Sequence, residues 1–189
     1  MNNGRQEPTD ESLVSAAGKG DDRAFALLAG RHKRRVFVLA ARFARDADEL
    51  EDLCQDVFIK VYENLSGFRN DAPFEHWLMK IAVRVCHDAL RNRRHEKQHT
   101  SFDDMVTELP DCAGDSEREV RQARQFLRYA MSGLSPDEQL IITLLELEEF
   151  SVREASAATG WSEANVKVRA HRARQALKRV VEEHDERQG

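Results

Sequence analysis

The sequence predicts an all-α protein of two small helical domains joined by an acidic, flexible linker. Three observations support this fold class. Apolar residues recur every three or four positions in several segments, which is the period of an amphipathic helix. No short segment shows the clean alternation and the flanking turn residues that predict a strand. Between the two helical parts, this period disappears over an acidic segment of about 20 residues that includes Pro110 and Gly114, a composition typical of a linker.

We place the domain boundaries at these changes of pattern. The predicted parts are an N-terminal segment (1–20), a first helical domain (21–95), a linker (96–116), a second helical domain (117–183) and a tail (184–189).

The first domain contains three predicted helices. The first begins at a cap formed by Asp21 and Asp22 and ends near residue 45. The second covers about 48–65, and the third covers about 73–94, beginning at a proline, which suits a first helical position. The residues predicted to face inward are Phe25, Leu28, His32, Val36, Leu39, Phe43, Leu50, Leu53, Val57, Val61, Phe74, Trp77, Leu78, Ile81 and Val85. His32 is interpreted as a packed core histidine rather than a ligand.

The second domain ends in a predicted helix-turn-helix. Its first helix is indicated by the spacing of Val120, Ala123, Leu127, Ala130 and Leu134. Segments 135–138 and 151–154 both match the capping box, in which a serine and a glutamate satisfy backbone N–H groups reciprocally. A short helix to about residue 158, a glycine-containing turn at 159–161 and a longer helix capped by Ser162 complete the motif. Ser156, Gly160 and Val166 mark where the two helices approach, turn and lock, and Val166, Ala170, Ala173 and Leu177 are the predicted buried residues of the last helix.

The outward face of the last helix is the strongest candidate site. It contains Asn165, Lys167, Val168, His171, Arg172 and Arg174. Arginine can read guanine edges, asparagine can read adenine, and lysine and arginine can hold phosphates. The alternative is a helical hairpin with a solvated basic face. DNA binding is favoured because the caps, the turn and the charge agree.

A second candidate site lies around the start of the third helix. Lys80, Arg84, His87 and Arg91 are spaced to form one basic stripe, and a polar loop with Phe68 and Phe74 at its ends precedes them. The loop residues are Arg69, Asn70, Asp71, Ala72 and Pro73. Such a combination can hold unstacked single-stranded bases and track their backbone. The alternative is that Phe74 and Trp77 are core residues.

A third candidate is the outward face of the second helix, where Asp52, Gln55, Asp56 and Ile59 share one side. An exposed isoleucine among acids suggests a contact with another protein. The alternative is an ordinary solvated face.

Charge is distributed in blocks of opposite sign, although the formal net charge is only −5. The blocks are 46–63 (−6), 80–97 (+4), 98–120 (−6) and 162–180 (+5). Basic blocks suit phosphates and acidic blocks suit a protein partner.

Several other classes find no support in the sequence. We find no phosphate-binding glycine loop, metal-binding helix motif or nucleophile elbow, so neither an enzyme nor a cofactor is expected. His95 and His99 have metal-ligand spacing but no nearby cysteine or acid in register, so no metal site is expected. Three cysteines at wide spacings suit a reducing cytoplasm. Neither a secretion signal nor a membrane-inserting segment is expected.

Three segments in this order resemble the extracytoplasmic-function (ECF) sigma factors of bacterial RNA polymerase. They are DADELEDLCQDVFIKVYENL, FRNDAPFEHWLMKIAVRVCHDALRNRR and LSPDEQLIITLLELEEFSVREASAATGWSEANVKVRAHRARQAL. The resemblance covers about residues 21–94 and 120–181, and it implies sigma region 2 followed by sigma region 4.

The resemblance implies a role for each candidate site. Asp52, Gln55 and Asp56 resemble the surface that docks on the clamp helices of the largest polymerase subunit, and Ile59 shares that face. The 69–73 loop and the basic stripe resemble the parts that melt and read the −10 element, with a base flipped into a pocket at 70–73. Asn165, Lys167, Val168, His171 and Arg172 occupy the −35 contact positions.

The resemblance also implies partners. They are promoter DNA, core polymerase including its flap region, and an anti-sigma factor, which in this class can be anchored in the membrane. The linker is expected to thread toward the polymerase active-site cleft. Two alternatives stay open, a stand-alone helix-turn-helix regulator and a protein-interaction adaptor with a degenerate sigma fold.

Overall fold

The computed structural model describes residues 8–99 and 125–188, and the chain divides into two compact units, Met1–Cys86 and His87–Gly189. Helices joined by short turns make up these two ranges, and no strand occurs within them. The predicted all-α fold class is therefore confirmed. Within the same ranges, no helix combines the length and the apolar composition needed to cross a bilayer.

The first unit is built from α1 (Asp10–Ala17), α2 (Asp22–Ala41), α3 (Ala47–Asn64), a 3₁₀ turn (Leu65–Gly67) and the first half of α4 (Phe74–His99). Each of the first three helices begins at a side-chain cap. The Thr9, Asp21 and Asp46 side chains accept backbone N–H groups of the first turns of α1, α2 and α3. Such caps typically contribute about 1 kcal/mol each. The helix starts therefore follow directly from the sequence.

The core of this unit lies where the apolar stripes of its helices meet. Most of the predicted inward residues are buried, and the fully buried ones include Leu28, Val36, Leu39, Val57, Val61 and Leu78. Five of them are only half-buried instead, namely Phe25, His32, Leu50, Trp77 and Ile81. α4 also buries Met79, Val83 and Cys86, which the predicted stripe omitted. The buried arc of α4 is therefore wider than one stripe of spacing three and four predicts.

Helix α1 lies inside the 1–20 segment, for which the sequence predicted no element. It packs on α2 and buries Leu13, Val14 and Ala17. An isolated helix this short is unstable in water, so tertiary packing must stabilise it.

Two helices extend beyond their predicted C-terminal ends. α4 continues through His99, so residues 96–99 are helical instead of the start of the linker. α8 likewise continues through Gln188, so most of the 184–189 segment is helix rather than tail. In both places the apolar period stops, but Glu, Lys, Gln and Arg are good helix formers and can continue a helix without an apolar stripe. Residues 100–116 of the predicted linker lie outside the described residues.

The second unit contains the rest of α4 and four further helices. These are α5 (125–132), α6 (Pro136–Ile142), which continues into a π-helical turn (Thr143–Leu147), α7 (Val152–Thr159) and α8 (Glu163–Gln188). Both predicted capping boxes are present, at the starts of α6 and α7.

The core of the second unit includes Leu134, Ile142 and Ala173, with Met131, Ala176 and Leu177 packed at its edge. Leu127 was predicted to share the inward spacing, but it is exposed. α5 instead turns Phe126 toward α8, where its ring stacks on His184 at 4.3 Å. Spacings of three and of four residues both fit a helix face, so the sequence alone did not decide whether Phe126 or Leu127 faces inward. Val120 and Ala123 lie outside the described residues.

Candidate nucleic-acid interface

Helices α7 and α8 form a helix-turn-helix whose turn is centred on Gly160. This glycine has φ of +78°, a left-handed conformation that strains residues with a Cβ, and its N–H donates to the Ser156 carbonyl at 2.9 Å. The Ser156 hydroxyl in turn donates to the Trp161 carbonyl at 2.6 Å. The hydroxyl of Ser162 accepts the N–H of Asn165 at 3.3 Å, so the predicted cap of α8 is present.

Of the residues predicted to mark the approach of the two helices, Ser156 is half-buried and bonds the turn. Ala155, beside it on α7, is buried, as are Val166 and Ala170 on α8. Helices α7 and α8 pack on each other.

Four of the five predicted −35 residues form one exposed surface on α8. We call the whole set of Asn165, Lys167, Val168, His171 and Arg172 the α8 basic face. Lys167, Val168, His171 and Arg172 are exposed, and Val168 retains 49% of its accessible surface. Within residues 8–99 and 125–188, Lys167 and Arg172 have no hydrogen-bond or ion-pair partner. His171 shares a 3.1 Å hydrogen bond with Gln175.

Asn165 differs from the other members of the α8 basic face. It is half-buried, and its side-chain oxygen accepts a hydrogen bond from Arg169 one turn later. Arg174, also predicted to face outward, is exposed but pairs with Glu146, its Nε lying 3.0 Å from Oε1. These two side chains are therefore less available to a ligand than Lys167 and Arg172.

Arg169 is a functional candidate that the sequence did not indicate. Its guanidinium lies 4.3 Å from the centre of the Trp161 ring, a cation–π distance. It also donates from Nη2 to the Asp137 carboxylate at 2.8 Å. Arg169 falls between the buried Val166 and Ala170, so spacing alone assigned it to neither face. The sequence did contain one signal for its partner, because the Ser135–Glu138 capping box places Asp137 in the first turn of α6.

Asp137 also accepts a hydrogen bond from His87, the first residue of the second unit, at 2.8 Å. Partial burial acts to raise the pKa of Asp137, but the hydrogen bonds and charges of Arg169 and His87 outweigh it, so the pKa lies below its ordinary value. The His87 ring also meets the Trp161 ring edge-on at 5.6 Å.

The predicted basic stripe of α4 is only partly available. Arg84 and Arg91 are exposed, Lys80 is half-buried, and His87 is bonded to Asp137 as described. Arg84 and Arg91 have no bonding partner in the described part of the chain. The stripe therefore offers two exposed guanidinium groups rather than four equivalent basic side chains.

The loop before α4, which we call loop 69–73, is exposed throughout, from Arg69 and Asn70 to Asp71, Ala72 and Pro73. Asn70 has φ of +56°, a left-handed conformation that asparagine adopts more readily than most residues.

Both ends of loop 69–73 are fixed by aromatic packing. Phe68 contacts Phe74 at 5.8 Å and Trp77 at 5.1 Å between ring centres, and Phe74 contacts Trp77 at 5.8 Å. Phe74 is only 6% exposed, so it is a core residue and not a stacking platform for bases. The polar loop itself is the accessible part.

The α3 acidic face consists of Asp52, Gln55, Asp56 and Ile59, and all four are exposed. Ile59 keeps 46% of its surface, and Tyr62, one turn further along α3, keeps 48%. The sequence did not include Tyr62 in this face. Its hydroxyl donates to Asp22 at 3.0 Å, and its ring packs edge-on against Phe25. An aromatic and an aliphatic side chain thus lie beside the carboxylates.

No group of three or more histidine, cysteine or acidic side chains capable of holding a metal occurs among residues 8–99 and 125–188. His95 is exposed, and the side chain of His99 lies outside the described part.

Two family models match the chain. Sigma-70 region 2 matches residues 28–96, and sigma-70 region 4 matches residues 124–177. Among curated proteins, the ECF RNA polymerase sigma-E factor of Escherichia coli K12 is 30% identical over 186 residues, which cover 94% of this chain and 96% of that protein. The RNA polymerase sigma-H factor of Pseudomonas aeruginosa is 29% identical over 181 residues, covering 92% and 94% respectively.

Two solved structures are also similar. CnrH, in complex with the cytosolic domain of CnrY, shares 26% identity with a TM-score of 0.63, over 92% of this chain and 97% of that one. The sigma factor RpoE of Bartonella quintana, in complex with the anti-sigma factor NepR, shares 25% identity with a TM-score of 0.60, over 84% and 96%.

Proposed function

Because this chain belongs to the ECF sigma factors, which direct RNA polymerase to promoters, we propose that its three exposed surfaces divide this task. The α8 basic face reads the −35 element. Loop 69–73, with the exposed basic side chains of α4, acts on the −10 element. The α3 acidic face docks on core polymerase.

The observation that carries the proposal is the α8 basic face. A recognition helix presents its outward side chains to the major groove, where arginine can bond guanine and lysine can hold phosphate. Lys167 and Arg172 are exposed and unpaired, so binding DNA would break no described internal contact of either side chain. Val168 lies between them in sequence and can contact a thymine methyl group. Asn165 would first have to release Arg169, so we assign it a smaller part.

Loop 69–73 suits opened DNA better than duplex DNA. It is polar, exposed and held at both ends by Phe68 and Phe74, so it can present side chains to a base that has left the stack. Arg84 and Arg91 then follow the phosphates of that strand. His87 contributes only where its bond to Asp137 is given up.

The α3 acidic face is suited to a protein rather than to DNA, because carboxylates repel phosphates. Its exposed Ile59, with Tyr62 one turn further along α3, provides apolar area next to the carboxylates. In the family, such a face docks on the clamp helices of the largest polymerase subunit, while region 4 lies near the flap.

We further propose that an anti-sigma factor controls this chain. Such an anti-sigma factor can be anchored in the membrane. The similar RpoE of Bartonella quintana was solved with an anti-sigma factor, and CnrH with the cytosolic domain of CnrY. The protein would then work in the cytoplasm, where polymerase and promoters are located, without inserting into the membrane itself.

A stand-alone helix-turn-helix regulator is the weaker alternative, because such a regulator needs neither an acidic α3 face nor loop 69–73. A degenerate adaptor is also disfavoured by the exposed, unpaired Lys167 and Arg172.

Run-off transcription with purified core polymerase and a random promoter library tests the proposal. We expect the added chain to produce new transcripts whose upstream regions share two spaced motifs. Transcripts identical to those of core polymerase alone would contradict it.

A further inference from the structure

Helix α1 is tied to α2 by one carboxylate. Asp10, in the first turn of α1, accepts a hydrogen bond from His32 Nε2 at 2.7 Å and another from Arg31 at 3.0 Å. The side chain of His32 is 13% exposed and that of Asp10 is 31% exposed. Burial acts to raise the pKa of Asp10, but these two partners outweigh it and hold the pKa below its ordinary value. Asp10 therefore stays ionised and orients the His32 ring.

The His32 ring also contacts Phe74, which supports loop 69–73. His32 meets the Phe74 ring at 5.2 Å between centres, with the planes at 61°. Phe74 follows the loop directly and packs on Phe68, which precedes it. His32 is thus the link between a carboxylate on α1 and the aromatic cluster that holds both ends of the loop.

We propose that Asp10 and His32 are positioning residues for loop 69–73: helix α1, through Asp10, fixes the His32 ring against Phe74 and so fixes the loop that acts on the −10 element. This proposal rests on the proposed function of the loop. Neither residue would contact DNA. A binding group works best when the side chains behind it are themselves held in place by packing and hydrogen bonds.

A second link between α2 and the start of α4 provides a natural comparison. Arg35 pairs with Glu75 at 2.8 Å, but both side chains are substantially exposed. Exposed pairs of this kind contribute little because solvent screens them. If any contact between α2 and α4 were enough to hold loop 69–73 in place, removing the Arg35 side chain would disturb the loop as much as removing that of Asp10. If the shielded contact through His32 holds the loop, removing the Arg35 side chain would disturb it much less.

The first measurement uses the full chain alone. The chain has two tryptophans, so Trp161→Phe leaves Trp77 as the only one, inside the aromatic cluster. In this background, we expect Asp10→Ala and His32→Phe to make Trp77 more accessible to acrylamide quenching. Arg35→Ala and Glu11→Ala should not change the quenching. Glu11 is exposed in the same first turn of α1, so Glu11→Ala also removes a first-turn charge.

The second measurement uses holoenzyme and a single-stranded non-template oligonucleotide carrying the −10 sequence of a promoter selected with the wild-type chain. Asp10→Ala and His32→Phe should each weaken binding by about two- to tenfold, the range expected for residues that act through an intermediate contact. The double variant should be no weaker than the weaker single variant, because both changes break the same link. If Asp10→Ala fails to fold, Asp10→Leu replaces it, since leucine keeps a side chain of similar size but has no acceptor oxygen for His32.

Including Asn70→Gly in the same assay separates the two proposals. If Asn70→Gly weakens binding but the Asp10 and His32 variants bind like wild type, the positioning role is wrong and the role of the loop stands. If none of the three weakens binding, the positioning role is wrong and the Asn70 side chain makes no contact with the −10 strand. Additive losses in the double variant would also overturn the positioning role.

Discussion

Arg169 on α8 is bonded to Asp137 on α6, with Nε and Nη2 at 3.1 and 2.8 Å from the same carboxylate oxygen. The bond joins the first turn of α6 to the second turn of α8, the recognition helix. The other contacts of Arg169, with Trp161 and Asn165, join the turn and the α8 basic face to the same carboxylate. Asp137 is therefore a structural anchor for the helix-turn-helix, although it lies outside the motif.

Asp137→Asn should destabilise the chain near neutral pH, and the difference from wild type should shrink in acid. The pKa of Asp137 is lowered in the folded state, so its contribution is present above the ordinary pKa of 3.8 and is lost as the pH falls through the folded value. Urea unfolding of both proteins from about pH 5 to about pH 3 checks this. A difference that stays constant or grows toward low pH would contradict the assignment.

Gly160→Ala should destabilise the second unit by about 1–2 kcal/mol, because a Cβ is strained at its positive φ. No heavy atom lies within 4 Å of the added Cβ, so the effect is purely conformational. Gly133→Ala is the control, since its φ is not in the left-handed region and its Cβ would make only an ordinary contact with Ala130 at 3.7 Å. Equal losses of stability in the two variants would rule out the conformational explanation.

Replacing Asp52 by lysine and Gln55 by alanine should weaken binding to core polymerase and leave the helix content unchanged, since both side chains are exposed on α3. Co-purification with core polymerase and circular dichroism measure the two effects. Glu182→Lys, a charge reversal at an exposed site on α8, should bind like wild type. If the double variant co-purifies with core polymerase at the wild-type yield, the α3 acidic face is not part of the docking surface.

Asn70→Ala and Asn70→Gly should both reduce open-complex formation on a duplex promoter, and both should do less harm on a template melted beforehand at the −10 element. The pair separates side chain from backbone, because glycine accepts the φ of +56° without strain and alanine does not. If Asn70→Gly behaves like wild type, Asn70 only supports the turn. Asp71→Ala extends the test to the next loop residue.

The helices, the caps and the helix-turn-helix follow from local sequence, because capping boxes and apolar periods act within a few residues. The sequence did not predict contacts between distant residues. Spacing shows that His32 lies near the core, but not that Asp10 fixes its ring, since their pairing depends on how α1 packs on α2. Arg169 was missed for the same reason, because its partner Asp137 is 32 residues away. The helical residues 96–99 were missed because a segment of polar and charged residues leaves no apolar pattern.

The most direct test of the account is the binding of holoenzyme to a set of −35 variants at several salt concentrations, with wild type and Arg172→Ala. We expect Arg172→Ala to weaken −35-dependent binding. If Arg172 bonds a base, discrimination at one base pair relaxes, at a cost of about 1–3 kcal/mol. If it holds only phosphate, the loss is uniform across the variants and the salt slope falls by about one. Unchanged discrimination together with an unchanged salt slope would contradict the claim that the α8 basic face reads the −35 element.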